Sequence, residues 1–163
     1  MVCSLFRLRR GIWLTLTIAA VAFSVISCSE GKVSQCNQLI SVANEAVAQV
    51  QSVTQSTAAS PDAGNSTTNP ANNVGAMNRI AAAADQARGE MEALEFSDQR
   101  LTEFKSRFVA MYSEISGATR ELVSSATASN SQAAQQAFNS LKTATDKEAP
   151  LVEEVNRYCA NPQ

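Results

Sequence analysis

The sequence contains no histidine, few aromatic residues and little excess charge of either sign. Without histidine the chain lacks the commonest general base and the commonest metal ligand of proteins, which excludes a Ser–His nucleophile and a Glu-x-x-His metal site. Aromatic residues make up only 6% of the chain, whereas alanine and serine are abundant. Because β-sandwiches are rich in β-branched and aromatic side chains, this composition favours closely packed helices.

The charge balance argues against nucleic acid as a partner. The formal net charge is −2, and it becomes more negative by three when Arg7, Arg9 and Arg10 near the N-terminus are set aside. Binding a phosphate backbone requires a basic surface, and an acidic body is not attracted to anionic lipid head groups. The chain also lacks a Gly-rich phosphate loop, a Gly-x-Ser-x-Gly elbow and a metal-ligand spacing. We therefore expect a protein that is not an enzyme and that uses no cofactor or metal.

The first 27 residues have the organisation of a secretory signal peptide. The three arginines precede an apolar run at residues 11–27, and a basic segment followed by an apolar one directs export, with the basic end kept in the cytoplasm. As a helix this run would extend ~25 Å at ~1.5 Å per residue, slightly less than the ~30 Å hydrocarbon core of a membrane. An uncleaved anchor helix is therefore the less favoured alternative.

The end of that run carries a lipid-attachment motif. The segment Val25-Ile26-Ser27-Cys28 resembles the lipobox of bacterial lipoproteins, although leucine is more usual where this chain has Val25. The resemblance implies cleavage between Ser27 and Cys28 and a diacylglyceryl group, with acyl chains such as palmitate, on the Cys28 thiol. It also implies an exported protein, anchored to a membrane and facing the periplasm, the cell surface or the thylakoid lumen. An ordinary signal peptide with an incidental cysteine is the alternative.

The remaining cysteines predict a disulfide. Cys3 is assigned to the signal peptide and Cys28 to the anchor, which leaves Cys36 and Cys159 near the two ends of the region predicted to be helical. An exported protein meets an oxidising compartment, so we expect these two thiols to be joined. In the chain-entropy model, a disulfide that closes a loop of this length stabilises the fold by ~4.7 kcal/mol. Two buried free thiols are the alternative.

Four segments show apolar residues every three or four positions, the pattern of amphipathic helices. The candidate caps are Ser34, then Ser97 or Asp98, and then one residue of the turn Ser129-Asn130-Ser131. Pro150 lies inside the fourth segment, and because a proline removes a helical hydrogen bond and clashes with the carbonyl four residues earlier, it predicts a kink or a break there. The predicted helices cover about 34–58, 76–95, 98–127 and 131–159, after a tether at 28–33 and before a tail at 160–163.

The connections between these helices predict their arrangement. Residues 59–75 contain prolines, glycines and hardly any apolar side chain, which indicates a flexible loop. The other two connections are short, which makes their neighbouring helices antiparallel. We therefore predict an all-α, up-down-up-down four-helix bundle at 34–159. In that topology Cys36, Cys159 and the tether lie at one end, and the 59–75 loop lies at the membrane-distal end.

Several polar groups are candidate binding or catalytic sites. An acidic cluster around the second turn could hold a divalent cation, but a solvated helix end explains it more simply. Arg100, Lys105 and Arg107 form a small basic patch that is expected to pair with acids on the same helix. Glu153 and Glu154 are adjacent and diverge on a helix, so they make a poor catalytic pair. The acidic cluster comprises Glu90, Glu92, Glu95, Asp98 and Glu103.

The methionines and the tyrosines could either bind a ligand or a partner, or pack in the core. Met77, Met91 and Met111 could line a pocket, although methionine at inward positions normally fills a core. Tyr112 and Tyr158 could lie at a partner surface or at half-buried edges of the core.

The function favoured by these features is a membrane-anchored envelope lipoprotein that acts as a non-enzymatic docking or accessory subunit of a membrane protein complex. In architecture only, the chain is similar to small four-helix lumenal lipoproteins that assist photosystem assembly in cyanobacteria. The alternative is a small-ligand or ion carrier that uses a cavity between the helices. This alternative predicts a sizeable apolar pocket near the three methionines.

Overall fold

The computed structural model describes residues 31–56 and 70–161. About 90% of these residues are helical and none of them forms a strand, which confirms the predicted all-α class. The predicted signal peptide, the Ser27–Cys28 cleavage site and the lipid anchor at Cys28 lie outside the described residues. No helix in the described ranges has the length and apolar content needed to cross a membrane.

All four predicted helical segments are helical in the structure, and the fourth is divided in two. The helices are α1 at residues 31–56, α2 at Pro70–Glu92, α3 at Gln99–Thr127, α4 at Ser131–Thr145 and α5 at Glu148–Ala160.

The predicted cap at Asp98 is confirmed, and the cap predicted within residues 129–131 is Asn130. The Asp98 carboxylate accepts hydrogen bonds from the backbone N–H groups of Arg100 and Leu101 at 2.8 and 3.0 Å, and Asn130 accepts one from Ala133 at 3.1 Å. These side chains satisfy N–H groups that the first turn of a helix leaves without partners. They fix the starts of α3 and α4.

Three predicted boundaries are wrong. The chain is already helical at residue 31, so Ser34 is not an N-cap and residues 31–33 are not part of a tether. Helix α2 begins at Pro70 and ends at Glu92, which makes residues 70–75 of the predicted loop helical. Proline suits the first helical position, because its φ is preset and its missing N–H would have had no intrahelical partner.

The division between α4 and α5 lies at Asp146 and Lys147, and Pro150 is the third residue of α5. Pro150 is thus within the first helical turn, where an N–H is not required. In a continuous helix its ring would clash with the carbonyl of Asp146. The observed interruption begins at that residue.

The core is built from the inward faces of all five helices, with α4 contributing Ala144. Its largest members are at most 1% exposed, and the burial of such side chains is the main source of helix-bundle stability. The largest are Leu39, Met91, Leu101, Phe104, Phe108 and Met111.

A disulfide closes one end of this core. Cys36 near the start of α1 is bonded to Cys159 near the end of α5, with 5.9 Å between their Cα atoms and a separation of 123 positions in sequence. The predicted pairing is confirmed. We call the region around this bond the disulfide end.

Hydrogen bonds bring the turn between α2 and α3 to the disulfide end as well. The Gln35 side-chain oxygen accepts from the backbone N–H groups of Ser97 and Asp98 at 2.8 and 3.2 Å. The Tyr158 hydroxyl donates to the Asp98 carboxylate at 2.7 Å, and the Lys32 ammonium lies 3.9 Å from the centre of the Tyr158 ring. The start of α1, the α2–α3 turn and the end of α5 are therefore tied together.

Candidate ligand cavity

A cavity of about 470 Å³ lies among the helices on the side away from the disulfide end. Ligand sites in proteins are typically ~300–1,000 Å³ and largely apolar, and this cavity meets both criteria. Every helix contributes to its wall. Its apolar lining includes Ala46, Val47, Met77, Ile80, Ala84 and Ile115.

The cavity exists because small side chains face one another across it. Ala46 of α1 and Ala83 and Ala84 of α2 are buried, but a methyl group fills little of the space between helices. Phe138 of α4 also lines the cavity, yet its side chain remains 51% exposed and does not fill the gap. The alanine stretch at 81–84 therefore does more than let helices approach, since two of its members border open space.

Tyr112 is the buried polar group of this wall. Its residue is 4% exposed and its ring stacks on Phe108 with 6.0 Å between the ring centres, yet its hydroxyl has no hydrogen-bond partner among the described residues. Burial raises the pKa of Tyr112, and the negative charge of Glu148 raises it further. The phenol therefore stays protonated and keeps a hydrogen to donate. Most buried polar atoms have a partner, which makes this one unusual.

Glu148, the first residue of α5, supplies a carboxyl group to the same wall. It is half-buried, and burial raises its pKa. No hydrogen bond or ion pair joins it to another described residue. The neighbouring cations are engaged elsewhere, since Lys142 pairs with Asp146 at 2.6 Å and Lys147 pairs with Glu114.

The cavity thus combines an apolar wall with the half-buried carboxyl group of Glu148. Such a combination can orient a small molecule. The described side chains include no group of three His, Cys, Asp or Glu residues that could hold a metal ion.

The acidic cluster predicted near the α2–α3 turn is dispersed over separate partners. Asp98 caps α3 and accepts from Tyr158, Glu92 lies 3.8 Å from Arg88, and Glu103 pairs with Arg100 at 2.5 Å. These groups do not converge on one point. They behave as helix caps and surface pairs.

The basic patch is only partly paired as predicted. Arg100 pairs with Glu103 on its own helix, but Arg107 makes two hydrogen bonds, of 2.6 and 2.9 Å, to Glu154 of α5. Lys105 donates to the backbone carbonyl of Leu94 at 2.8 Å. The prediction is therefore wrong for Arg107 and Lys105, because helix spacing identifies neighbours within α3 but not those on the elements packed against it.

The methionines divide between cavity and core. Met77 lines the cavity, whereas Met91 and Met111 are 0% and 1% exposed members of the core cluster. Among the tyrosines, Tyr158 is half-buried and hydrogen-bonded, and Tyr112 lies inside. The pocket expected near three methionines thus adjoins one of them.

Sequence reasoning missed Glu148 as a cavity residue. A signal was present, since a proline is favoured in the first turn of a helix and acidic residues are favoured there too. Pro150 could therefore have placed Glu148 at the start of a new helix. That this start borders a cavity depends on tertiary packing and has no local signature.

Comparisons of the chain with protein-family models, with curated protein sequences and with solved structures give no match.

Proposed function

We propose that this chain is an exported, lipid-anchored helical protein that binds a small, largely apolar molecule without converting it. The observation that carries the proposal is the apolar cavity of about 470 Å³, whose wall also includes the half-buried carboxyl group of Glu148. Ligand sites of this size commonly combine an apolar wall with a few polar groups that orient the ligand.

The lipid anchor and the complete topology belong to the same proposal. Attachment through Cys28 after cleavage at Ser27 is supported by the signal-like segment and the lipobox resemblance, and two or three acyl chains give stable anchoring. The full up-down-up-down arrangement, with the last helix kinked near Pro150, is supported by two cross-helix ion pairs, Asp85–Arg120 and Arg107–Glu154. With the membrane at the disulfide end, the cavity lies in the half of the domain that faces away.

Ligand binding is tested with the full chain in phosphatidylcholine nanodiscs and the neutral dye N-phenyl-1-naphthylamine, which brightens in apolar surroundings. Empty nanodiscs supply the partition background. We expect saturable brightening above that background, and loss of the saturable part in Ala84→Leu, whose larger side chain occupies the cavity. Ala87→Leu is the matched control, because Ala87 is buried in the core but does not line the cavity.

The binding proposal fails if the wild-type signal equals that of empty nanodiscs. It also fails if Ala84→Leu and wild type give the same saturable signal while both retain their helical circular dichroism.

The anchor is tested by Cys28→Ala, with Cys3→Ala as its matched control. We expect Cys28→Ala to abolish incorporation of an alkyne-tagged palmitate and to release the chain from membranes after a high-salt wash, whereas Cys3→Ala changes neither. Complete retention of the Cys28→Ala variant on membranes would contradict the lipid anchor.

Docking on a membrane protein complex is the second candidate function. It is favoured by the exposure of two apolar side chains beside the cavity, Phe138 at 51% and Val47 at 38%. Such residues could receive a partner's side chain. Co-purification from detergent-solubilised membranes tests it, and recovery of the chain alone would count against it.

A further inference from the structure

The ligand cavity adjoins a second apolar pocket. This pocket, of about 530 Å³, is lined mainly by α1 and α5, and the walls of the two spaces share Val47, Thr145 and Glu148. The residues of α1 that line them run from Leu39 to Gln51, a length of ~18 Å at ~1.5 Å per residue. The two spaces together therefore suit an elongated apolar body.

Glu148 lies where the two spaces meet, and it is the only charged residue that borders both of them among the described residues. It is half-buried, and no hydrogen bond or ion pair joins it to another described residue. Burial alone raises its pKa, because removal from water disfavours the charged form. Buried charges in proteins normally have a partner of opposite charge, and this carboxylate lacks one.

The cations nearest to Glu148 in sequence are paired with other acids. Lys142 of α4 borders the cavity but pairs with Asp146 at 2.6 Å, and Lys147 pairs with Glu114 of α3. The wall residues that α1, α2 and α3 contribute to the two spaces carry no charge. The described part of the chain therefore presents a negative group to an apolar space and supplies no positive group to neutralise it.

Resting on the binding function proposed above, we infer that the ligand is an amphiphilic organic cation, with its ammonium group against the Glu148 carboxylate and its hydrocarbon part beside Val47, Met77 and Ala84. An ammonium group supplies both the opposite charge and N–H donors. Hydrogen bonds between ionised groups are about twice as strong as those between neutral ones. One head group thus gives Glu148 the partner that the described residues do not.

Other head groups fit Glu148 less well. A carboxylate would place a second negative charge beside it, and like charges in a half-buried site repel. An alcohol can donate one hydrogen bond but brings no positive charge. A ligand without polar groups would remove more water from the carboxylate and give it no partner, which adds to the cost of burying the charge.

The test is displacement of N-phenyl-1-naphthylamine from the full chain in phosphatidylcholine nanodiscs by decylamine, 1-decanol and decanoic acid. These compounds have hydrocarbon chains of the same kind, and at neutral pH their head groups are cationic, neutral and anionic. Competition is corrected with empty nanodiscs for partition into lipid. We expect decylamine to compete at about tenfold lower concentration than 1-decanol, the difference that a charge-assisted hydrogen bond makes at a half-buried site. Decanoic acid should be the weakest competitor.

Two variants assign the preference to Glu148. The quantity compared is the ratio of the 1-decanol and decylamine concentrations that displace half of the dye, which cancels any change in dye affinity. Glu148→Gln removes the charge and keeps the size of the side chain, so the ratio should fall from about ten to about one. Glu153→Gln is the matched control, because Glu153 is an exposed residue of the same helix that borders neither space. Its ratio should remain about ten.

The two proposals fail in different ways. If the dye binds and Ala84→Leu blocks it, but decylamine competes no better than 1-decanol, the inference of a cationic ligand is overturned and the binding function stands. A ratio that stays near ten in Glu148→Gln, or that falls equally in Glu153→Gln, would also overturn it. The wild-type series decides alone if Glu148→Gln loses its helical circular dichroism. If the dye does not bind above background, both proposals fall.

Discussion

Replacing Tyr112 with phenylalanine should stabilise the ligand-free protein. The substitution removes one oxygen from a residue that is 4% exposed, and that oxygen has no hydrogen-bond partner among the described residues. The aromatic ring and its stacking on Phe108 are retained. In the variant, folding therefore no longer removes water from a hydroxyl group that gains no new hydrogen-bond partner.

The magnitude follows from that desolvation. An unpaired buried hydroxyl costs ~1–3 kcal/mol, and the small gap left by the missing oxygen takes back part of the gain. We expect the free energy of unfolding to rise by ~1 kcal/mol, which corresponds to ~3–5 °C in melting temperature for a domain of this size.

Tyr158→Phe is the matched control with the opposite sign. The Tyr158 hydroxyl donates to the Asp98 carboxylate at 2.7 Å, and hydrogen bonds to charged groups contribute ~1.5–3 kcal/mol. Because Tyr158 is only half-buried, we expect a loss of ~1–2 kcal/mol.

Both variants are compared with wild type by urea and thermal unfolding, followed through the helical circular dichroism signal of the full chain. A destabilisation of Tyr112→Phe as large as that of Tyr158→Phe would show that the Tyr112 hydroxyl is already satisfied. That result would refute the description of the Tyr112 hydroxyl as a buried donor without a partner.

Three further predictions concern the disulfide, the cavity and the pH dependence of the free energy of unfolding. Replacing Cys36 and Cys159 with alanine removes the bond between positions that are 123 apart in sequence. The free energy of unfolding should fall by up to ~5 kcal/mol, because the unfolded chain regains the entropy that the closed loop had restricted. A loss below ~1 kcal/mol in urea unfolding would contradict this explanation. Ala84→Leu should change stability by less than ~1 kcal/mol because it enters open space, whereas Ala87→Leu in the packed core should cost ~1–3 kcal/mol; equal costs would mean that the cavity is not open. Since burial raises the pKa of Glu148 in the folded chain, the stability associated with its proton is complete below the unfolded pKa and is lost as pH rises through the folded pKa. Glu148→Gln should reduce the slope of the unfolding free energy against pH across that window. If the slope is unchanged, other titrating groups cause the pH dependence.

The loss of stability at acidic pH has a different origin, in the carboxyl group of Asp98. Burial raises the pKa of Asp98, but hydrogen bonds from Tyr158 and from the backbone N–H groups of Leu101 and Arg100 outweigh it, and the pKa lies below its usual value. The stability that depends on this carboxylate is therefore present above the unfolded pKa and lost as pH falls through the folded one. Asp98→Asn should reduce that acid sensitivity in the same unfolding experiment.

Local rules predicted those parts of the fold that depend on local chemistry. The apolar spacing of three and four residues predicts the helices. Caps are predicted at Ser97 or Asp98 and within residues 129–131, because such side chains can accept hydrogen bonds from the next turn. The disulfide followed from counting cysteines that remain after the signal and the anchor are assigned. Such inferences need no knowledge of which helices touch.

Other features required the tertiary structure. Arg107 pairs across helices with Glu154, and no spacing within α3 identifies that partner. The cavity arises where Ala46 and Ala84 belong to facing helices, and the space left by a small side chain depends on what lies opposite. Helix α2 begins earlier than predicted. Pro70 lies in a segment whose composition is typical of a loop, but it is the first residue of the helix.

The most direct test of the binding function is the stoichiometry of radiolabelled N-phenyl-1-naphthylamine bound by the full chain in phosphatidylcholine nanodiscs, with uptake by empty nanodiscs subtracted. The cavity predicts saturation at one molecule per chain, and loss of that saturable uptake in Ala84→Leu but not in Ala87→Leu. Uptake that rises linearly and matches empty nanodiscs would contradict the claim that the cavity is a ligand site.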